Sequence, residues 1–232
     1  MIDQSQEIES LTINLKFENI NGYFELLNLD KDNIIDVIKT FPDAIKENES
    51  TLIPQLWWGN LEDPEVIILG KNPSYIPSED DPDNCNKEFR DFLRNNLKFS
   101  NRTDDFKLSV VFEKYKERNV IKKHWTKILD GVTNKDAVAV YNIFGYYKTT
   151  IEISDLGMSH IAKNVNIKNK IINQIINKPN NVYFLWKGTK KLWFELLQDG
   201  LEEEKKKKLF GIINEAHSLN EKNNRVPRFS EI

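Results

Sequence analysis

The sequence predicts an α/β protein, a three-layer α/β/α sandwich around a central, mainly parallel four-stranded sheet. Three observations predict it. Four short apolar runs rich in β-branched and aromatic residues read as strands: Val66–Gly70, Ala137–Asn142, Val182–Trp186 and Leu209–Ala216. They are apolar throughout rather than alternating, which suits a sheet covered on both faces. Segments of helical periodicity lie between them, and strands that alternate with helices make a parallel sheet.

The elements follow in chain order. Residues 1–50 form a helical or irregular extension packed on the core, with a helix over Asn33–Thr40 that ends at Phe41–Pro42 because a residue before proline is steered out of the helical region. A single domain then occupies 51–232, since no Pro/Gly/Ser-rich linker divides it. The spacing of Phe89, Phe92, Leu93 and Leu97 predicts a helix over Asn84–Leu97. Val110–Leu129 reads as one broken helix or two, interrupted near Asn119. Ser159–Ile176 sets Ile161, Val165, Ile172 and Ile176 near one face. Thr189–Gln198 places Leu192, Trp193, Leu196 and Leu197 on another, with Gly200 as its stop. The run Glu202–Lys208 reads as an exposed helix with acid-to-lysine pairs.

Composition narrows the chemistry. Cys85 is the single cysteine, which excludes an intrachain disulfide, a four-cysteine zinc site and a cysteine-ligated iron–sulfur cluster. His124, His160 and His217 form no ligand-spaced group. The start of the chain lacks the basic and apolar segments of a signal peptide, and no apolar run reaches the roughly 20 residues of a membrane span. A cytoplasmic, monomeric protein without metal, cofactor or membrane partner is expected. The net charge of −3 conceals a gradient: residues 1–83 sum to −13 and residues 84–232 to +10. Leu156 to Phe194 contains seven lysines and no acid. Such a run is either a set of solvated helix faces or a surface for a polyanion.

Ligands of open α/β sheets bind outside the carboxyl ends of the strands. Those ends read Lys71-Asn72-Pro73-Ser74-Tyr75, Asn142-Ile143-Phe144-Gly145-Tyr146-Tyr147, Lys187-Gly188-Thr189 and His217-Ser218-Leu219-Asn220. Neither GxGxxG nor GxxxxGK[ST] occurs, so no glycine-rich phosphate cradle is present. No GxSxG nucleophile elbow occurs either. Asn72 can position a water but accepts a proton poorly. Asn142 ends an apolar strand, where its amide needs partners; an acceptor and two donors match the edge of a pyrimidine, or are met by local backbone. His217 either donates to an anionic leaving group or caps a turn.

Taken together and in this order, the strand ends resemble the uracil-DNA glycosylase superfamily. Pro54-Gln55-Leu56-Trp57-Trp58-Gly59-Asn60 followed by Val66–Ser74 is similar to that superfamily's lead-in, first strand and G-x-[DN]-P loop. Asn142 falls at the base-reading Asn, Phe144-Gly145-Tyr146-Tyr147 resembles an aromatic segment with Gly145 in place of proline, and Val182–Gly188 resembles the strand before the last helix. Ala216-His217-Ser218 resembles a His-Pro-Ser motif that lacks its proline. The likeness spans roughly residues 54–220. Asn72 stands where the most active branch carries Asp, as in the mismatch-specific uracil/thymine branch. The single cysteine excludes the iron–sulfur branches.

The resemblance implies monofunctional hydrolysis of the N-glycosidic bond of uracil or a 5-modified pyrimidine flipped out of DNA. It implies that Asn72 orients water and that His217 stabilises charge on the leaving base. Gly70, Lys71, Pro73, Ser74, Tyr75, Asn142, Phe144 and Ser218 would surround the base, with Phe144 or another aromatic such as Phe89 stacking on it. Lys187, Lys190, Arg225 and Arg228 would meet DNA. Ser74, small where the uracil-strict branch has Tyr, implies tolerance of 5-substituents. Two other readings stand beside this one: a catalytically silent protein of the same fold that binds DNA or a modified base, and an unrelated α/β hydrolase or nucleotide-binding protein.

Overall fold

A computed structural model describes residues 55–71, 88, 92, 95, 96, 103–115, 129, 132–145, 151–186 and 188–219. The expected extension at 1–50 and the helix at 33–40 lie outside the described residues. Five strands form one sheet: β1 (Trp57–Gly59), β2 (Val66–Gly70), β3 (Val138–Asn142), β4 (Val182–Phe184) and β5 (His217–Ser218). Their order is β1-β3-β2-β4-β5, parallel except for β1, which runs antiparallel to β3 along one edge.

The sheet therefore has one more strand than the sequence predicts. Trp57–Gly59 is short and sits inside a lead-in with a loop-like composition, so its pairing is set by tertiary contact. Its outer side is closed by Asn96, whose Nδ2 donates to the Trp57 carbonyl (2.7 Å) while Trp57 Nε1 donates to the Asn96 carbonyl (2.7 Å). This occupies one of the outward main-chain groups that an edge strand offers to another chain. Gly59 ends β1 at φ +79°, and a Cβ there would lie 2.2 Å from the Val138 carbonyl oxygen. Glycine meets both demands.

The second departure is Leu209–Ala216, predicted as a strand. Residues 209–215 of it form the last turns of helix α5 (Glu203–Glu215), and Ala216 is the C-cap. The helix-favouring Glu202–Lys208 run continues through it without a break. Leu209 and Ile213, four apart, are buried, whereas Phe210 is about half exposed, which is helical rather than alternating spacing. β5 follows directly and includes His217, which the sequence places after a strand rather than in one.

The other helices are α1 (Leu108–Tyr115), α2 (His160–Lys163), α3 (Val165–Asn177) and α4 (Thr189–Gln198). Residues 88, 92, 95 and 96 are helical, within the span predicted as Asn84–Leu97. The helix predicted over Ser159–Ile176 is broken at Asn164. The Ser159 hydroxyl accepts from Ala162 N–H (3.1 Å) and the Asn164 side chain from Ile167 N–H (3.1 Å), so each piece has its own N-cap. The break resets the helical phase: Val165, predicted on the apolar face, is exposed, and Ile167, Ile171, Ile172 and Ile175 make the core face.

Strand alternation divides the apolar side chains between the two faces of the sheet. On one face Trp57, Ile67, Leu69, Ala139, Tyr141 and Phe184 pack with α2 to α5. On the other, Trp58, Val66, Ile68, Val138, Val140 and Tyr183 pack with Phe92, Phe106 and α1. No helix among the described residues is long and apolar enough to cross a membrane.

Candidate functional site

The progression of the chain across the sheet reverses around β2. The β2-to-β3 connection goes to one side of it, and the β3-to-β4 connection crosses to the other. In an open parallel sheet, the crevice at the carboxyl ends beside such a reversal is where ligands bind. Here those ends are Gly70-Lys71 on β2, Asn142 on β3 and Leu185-Trp186 just past β4.

Gly70 and Asn142 are register partners. Beyond them the two chains stay joined: Ile143 N–H donates to the Gly70 carbonyl (3.3 Å) and Phe144 N–H to the Lys71 carbonyl (3.1 Å). Trp193 Nε1, from α4, also donates to the Gly70 carbonyl (2.9 Å). On the other side, Leu185 N–H donates to the Leu69 carbonyl (3.0 Å). The carboxyl end of β2 is thus held from both neighbours and from the helix above.

Asn142 is 2% exposed. Its N–H donates to the Leu56 carbonyl (2.7 Å) and its Nδ2 to the Gln55 carbonyl (2.7 Å). A carbonyl only accepts, so this contact fixes which end of the amide faces Gln55. Oδ1 then faces Gly70, buried and without a hydrogen-bond partner. A Cβ on residue 70 would lie 2.3 Å from that oxygen and 2.9 Å from Leu185 Cδ1, so glycine is what lets the amide sit there. A buried acceptor left open costs about 1–3 kcal/mol. In a native fold such a group calls for an explanation, and a ligand donor is one.

His217 and Ser218 are at the opposite edge. His217 is the register partner of Tyr183, which pairs in turn with Ile68. It is therefore two residues short of the level of Gly70 and three strand spacings, about 14 Å, from β3. The His217 ring is exposed and lies against Tyr183, with centroids 6.5 Å apart and planes at 21°. Burial pushes the Tyr183 phenol above its ordinary value, so it remains protonated through neutral pH. Phe144, expected to stack on a base, is 2% exposed and belongs to the core cluster behind the sheet.

The lysine-rich stretch is put to structural use in part. Lys168 is buried, and its Nζ donates to the Asp199 carbonyl at the end of α4 (2.8 Å). Lys170 pairs with Glu62. Lys190 donates to the Asn214 carbonyl in the last turn of α5 (2.9 Å), a favourable place for a cation. Lys191 is exposed.

Of the predicted site residues, the structure brings together Gly70, Lys71 and Asn142, with Phe144 behind them, and sets His217 and Ser218 at the far edge of the sheet. Asn72, Pro73, Ser74, Tyr75, Phe89, Lys187, Arg225 and Arg228 lie outside the described residues. Sequence reasoning missed the carbonyls of Gln55 and Leu56, the Leu185 side chain and the Trp193 indole. The first pair leaves no side-chain signal, and the other two read as ordinary apolar residues. Among the described residues no group of three or more His, Cys, Asp or Glu side chains could hold a metal ion. No protein-family model, curated protein or solved structure matches the chain.

Proposed function

We propose that the protein is a DNA glycosylase of the uracil-DNA glycosylase type, with the three-layer α/β/α arrangement of that superfamily, acting on a flipped-out uracil or 5-modified pyrimidine. The observation that carries this reading is the open, buried Oδ1 of Asn142 beside Gly70 at the strand reversal. An amide clamped by Gln55 offers one acceptor and one remaining Nδ2 hydrogen, a pair that complements neighbouring N–H and C=O groups on a pyrimidine edge.

In the reaction the bond between C1′ and the base nitrogen breaks, with its electron pair leaving on the base and positive charge developing on the sugar. Asn72 would direct a water at C1′ and His217 would steady the departing anion. Lys187, Lys190, Arg225 and Arg228 would contact phosphates, making affinity fall with salt. Ser74 would leave room beside C5.

The test is a single-turnover assay with alkali cleavage on DNA carrying uracil, mismatched thymine and larger 5-modified pyrimidines. Excision lost in Asn72→Ala and reduced in His217→Ala and Asn142→Ala is expected. Failure on every base, with DNA still bound, would turn the assignment to a second reading, a protein that binds a base without cleaving it. The distance of His217 from Asn142 across the sheet favours that second reading.

A further inference from the structure

The described tryptophans divide sharply: Trp57, Trp58 and Trp193 are 0–1% exposed, whereas Trp186 is 40% exposed. Trp186 comes immediately after β4, and the β2–β4 register, continued by the Leu185-to-Leu69 hydrogen bond, aligns it with Lys71 at the carboxyl end of β2. Trp186 is therefore one residue beyond the Gly70–Leu185 level, at the carboxyl ends of the strands. Its backbone is held in place: Thr189 donates to the Trp186 carbonyl through both its N–H (3.0 Å) and its hydroxyl. Thr189 is itself 1% exposed. A large aromatic ring on rigid backbone loses little entropy when something stacks on it.

The stretch of chain around Trp186 is cationic. Lys190 and Lys191 occupy the first turn of α4, which contains no acid; Lys190 reaches the Asn214 carbonyl and Lys191 is exposed. No Asp or Glu occurs from Leu156 to Phe194. An exposed aromatic ring followed along the chain by lysines has the two ingredients with which proteins hold unpaired nucleic acid, because every base has a face to stack and every linkage carries a charge.

We infer that Trp186 is a stacking platform for an unpaired base next to the one held at Asn142, so that the protein favours single-stranded or locally melted DNA over intact duplex. This rests on the nucleic-acid part of the reading above and not on cleavage.

The experiment measures binding of the full chain to a fluorescent oligothymidylate of about ten nucleotides, to an abasic oligomer of equal length and to duplex DNA. Wild-type protein should bind oligothymidylate more tightly than duplex. Trp186→Ala should weaken oligothymidylate binding about tenfold while leaving abasic binding unchanged, and Trp186→Phe should stay within about twofold of wild type. Unchanged urea midpoints would show that both variants fold. Equal oligothymidylate affinity in Trp186→Ala, or an equal loss on the abasic oligomer, overturns the platform. So does a change confined to self-association, which would make the indole a protein contact. Wild-type protein that binds none of the three overturns the platform and the nucleic-acid reading together. Stacking that persists while the excision panel fails removes only the cleavage reading.

Discussion

Gly70 and Asn142 compete for one small volume, and glycine is what settles it in favour of the amide. A methyl on residue 70 meets Asn142 Oδ1 at 2.3 Å and Leu185 Cδ1 at 2.9 Å. The leucine methyl can swing away, but the amide is tied to Gln55. Gly70→Ala should therefore destabilise the fold by about 1–3 kcal/mol, as overpacking does. Gly70→Ala combined with Asn142→Ala should lose clearly less than the sum of the two single changes, because the obstruction is gone. Urea denaturation of the four proteins checks this; additive losses would mean that the two residues do not share the space. The Asn142 clamp makes a second demand. Asn142→Asp would replace the Nδ2 donor with a carboxylate oxygen facing the Gln55 carbonyl, in a buried place. The folded-state pKa of such an Asp would be raised, so its destabilisation should be smallest at pH 3 and grow as pH rises past about 4, where the unfolded side chain ionises.

At the scale of elements, α5 is where local and tertiary signals disagree most visibly with a strand. In the helix, Leu209 faces the core and Phe210 faces outward against Phe194, with ring centroids 5.0 Å apart. Leu209→Ala should cost about 2–5 kcal/mol by opening a cavity. Phe210→Ala should cost less than about 1.5 kcal/mol, since it loses one edge contact at the surface. Thermal denaturation separates the two, and equal losses would contradict the helical phase. The α2–α3 break provides the same kind of test. Asn164→Ala removes the acceptor for Ile167 N–H and should cost about 0.5–2 kcal/mol, whereas Asn164→Asp should retain the cap.

For the whole molecule, charge has to be sorted by what each cation touches. Lys168 and Lys191 are alike in the sequence, yet one is buried on the Asp199 carbonyl and the other is exposed. Lys168→Met should lower stability by about 1.5–3 kcal/mol, the loss of a charged hydrogen bond. Lys191→Met should leave stability unchanged and, on the DNA-binding reading, reduce the slope of log affinity against log salt by about one. Denaturation and a salt titration on one DNA, run side by side, distinguish the roles; a lower melting point in Lys191→Met would place that side chain in the fold instead.

What the residues alone determined is the class of fold and the three inner parallel strands, β2, β3 and β4. Val66–Gly70, Ala137–Asn142 and Val182–Trp186 are rich in β-branched and aromatic residues that favour strand, and Thr189–Gln198 has a period and a stop that need no partner to be read. Gly70-Lys71 and Asn142 were also legible as strand ends, because polar residues interrupt apolar runs there. The tertiary structure alone decided the rest. It added β1 as an antiparallel edge strand, since three residues have no period of their own, and it turned Leu209–Ala216 into helix because a short apolar run fits both patterns until a neighbour buries one face of it. It separated Lys168 from Lys191, left one amide oxygen of Asn142 without a partner, and exposed Trp186 while burying Trp193. Each of these depends on which atoms from distant parts of the chain arrive beside a residue, and that proximity is set by the packing of the sheet and its helices, not by any residue's own chemistry.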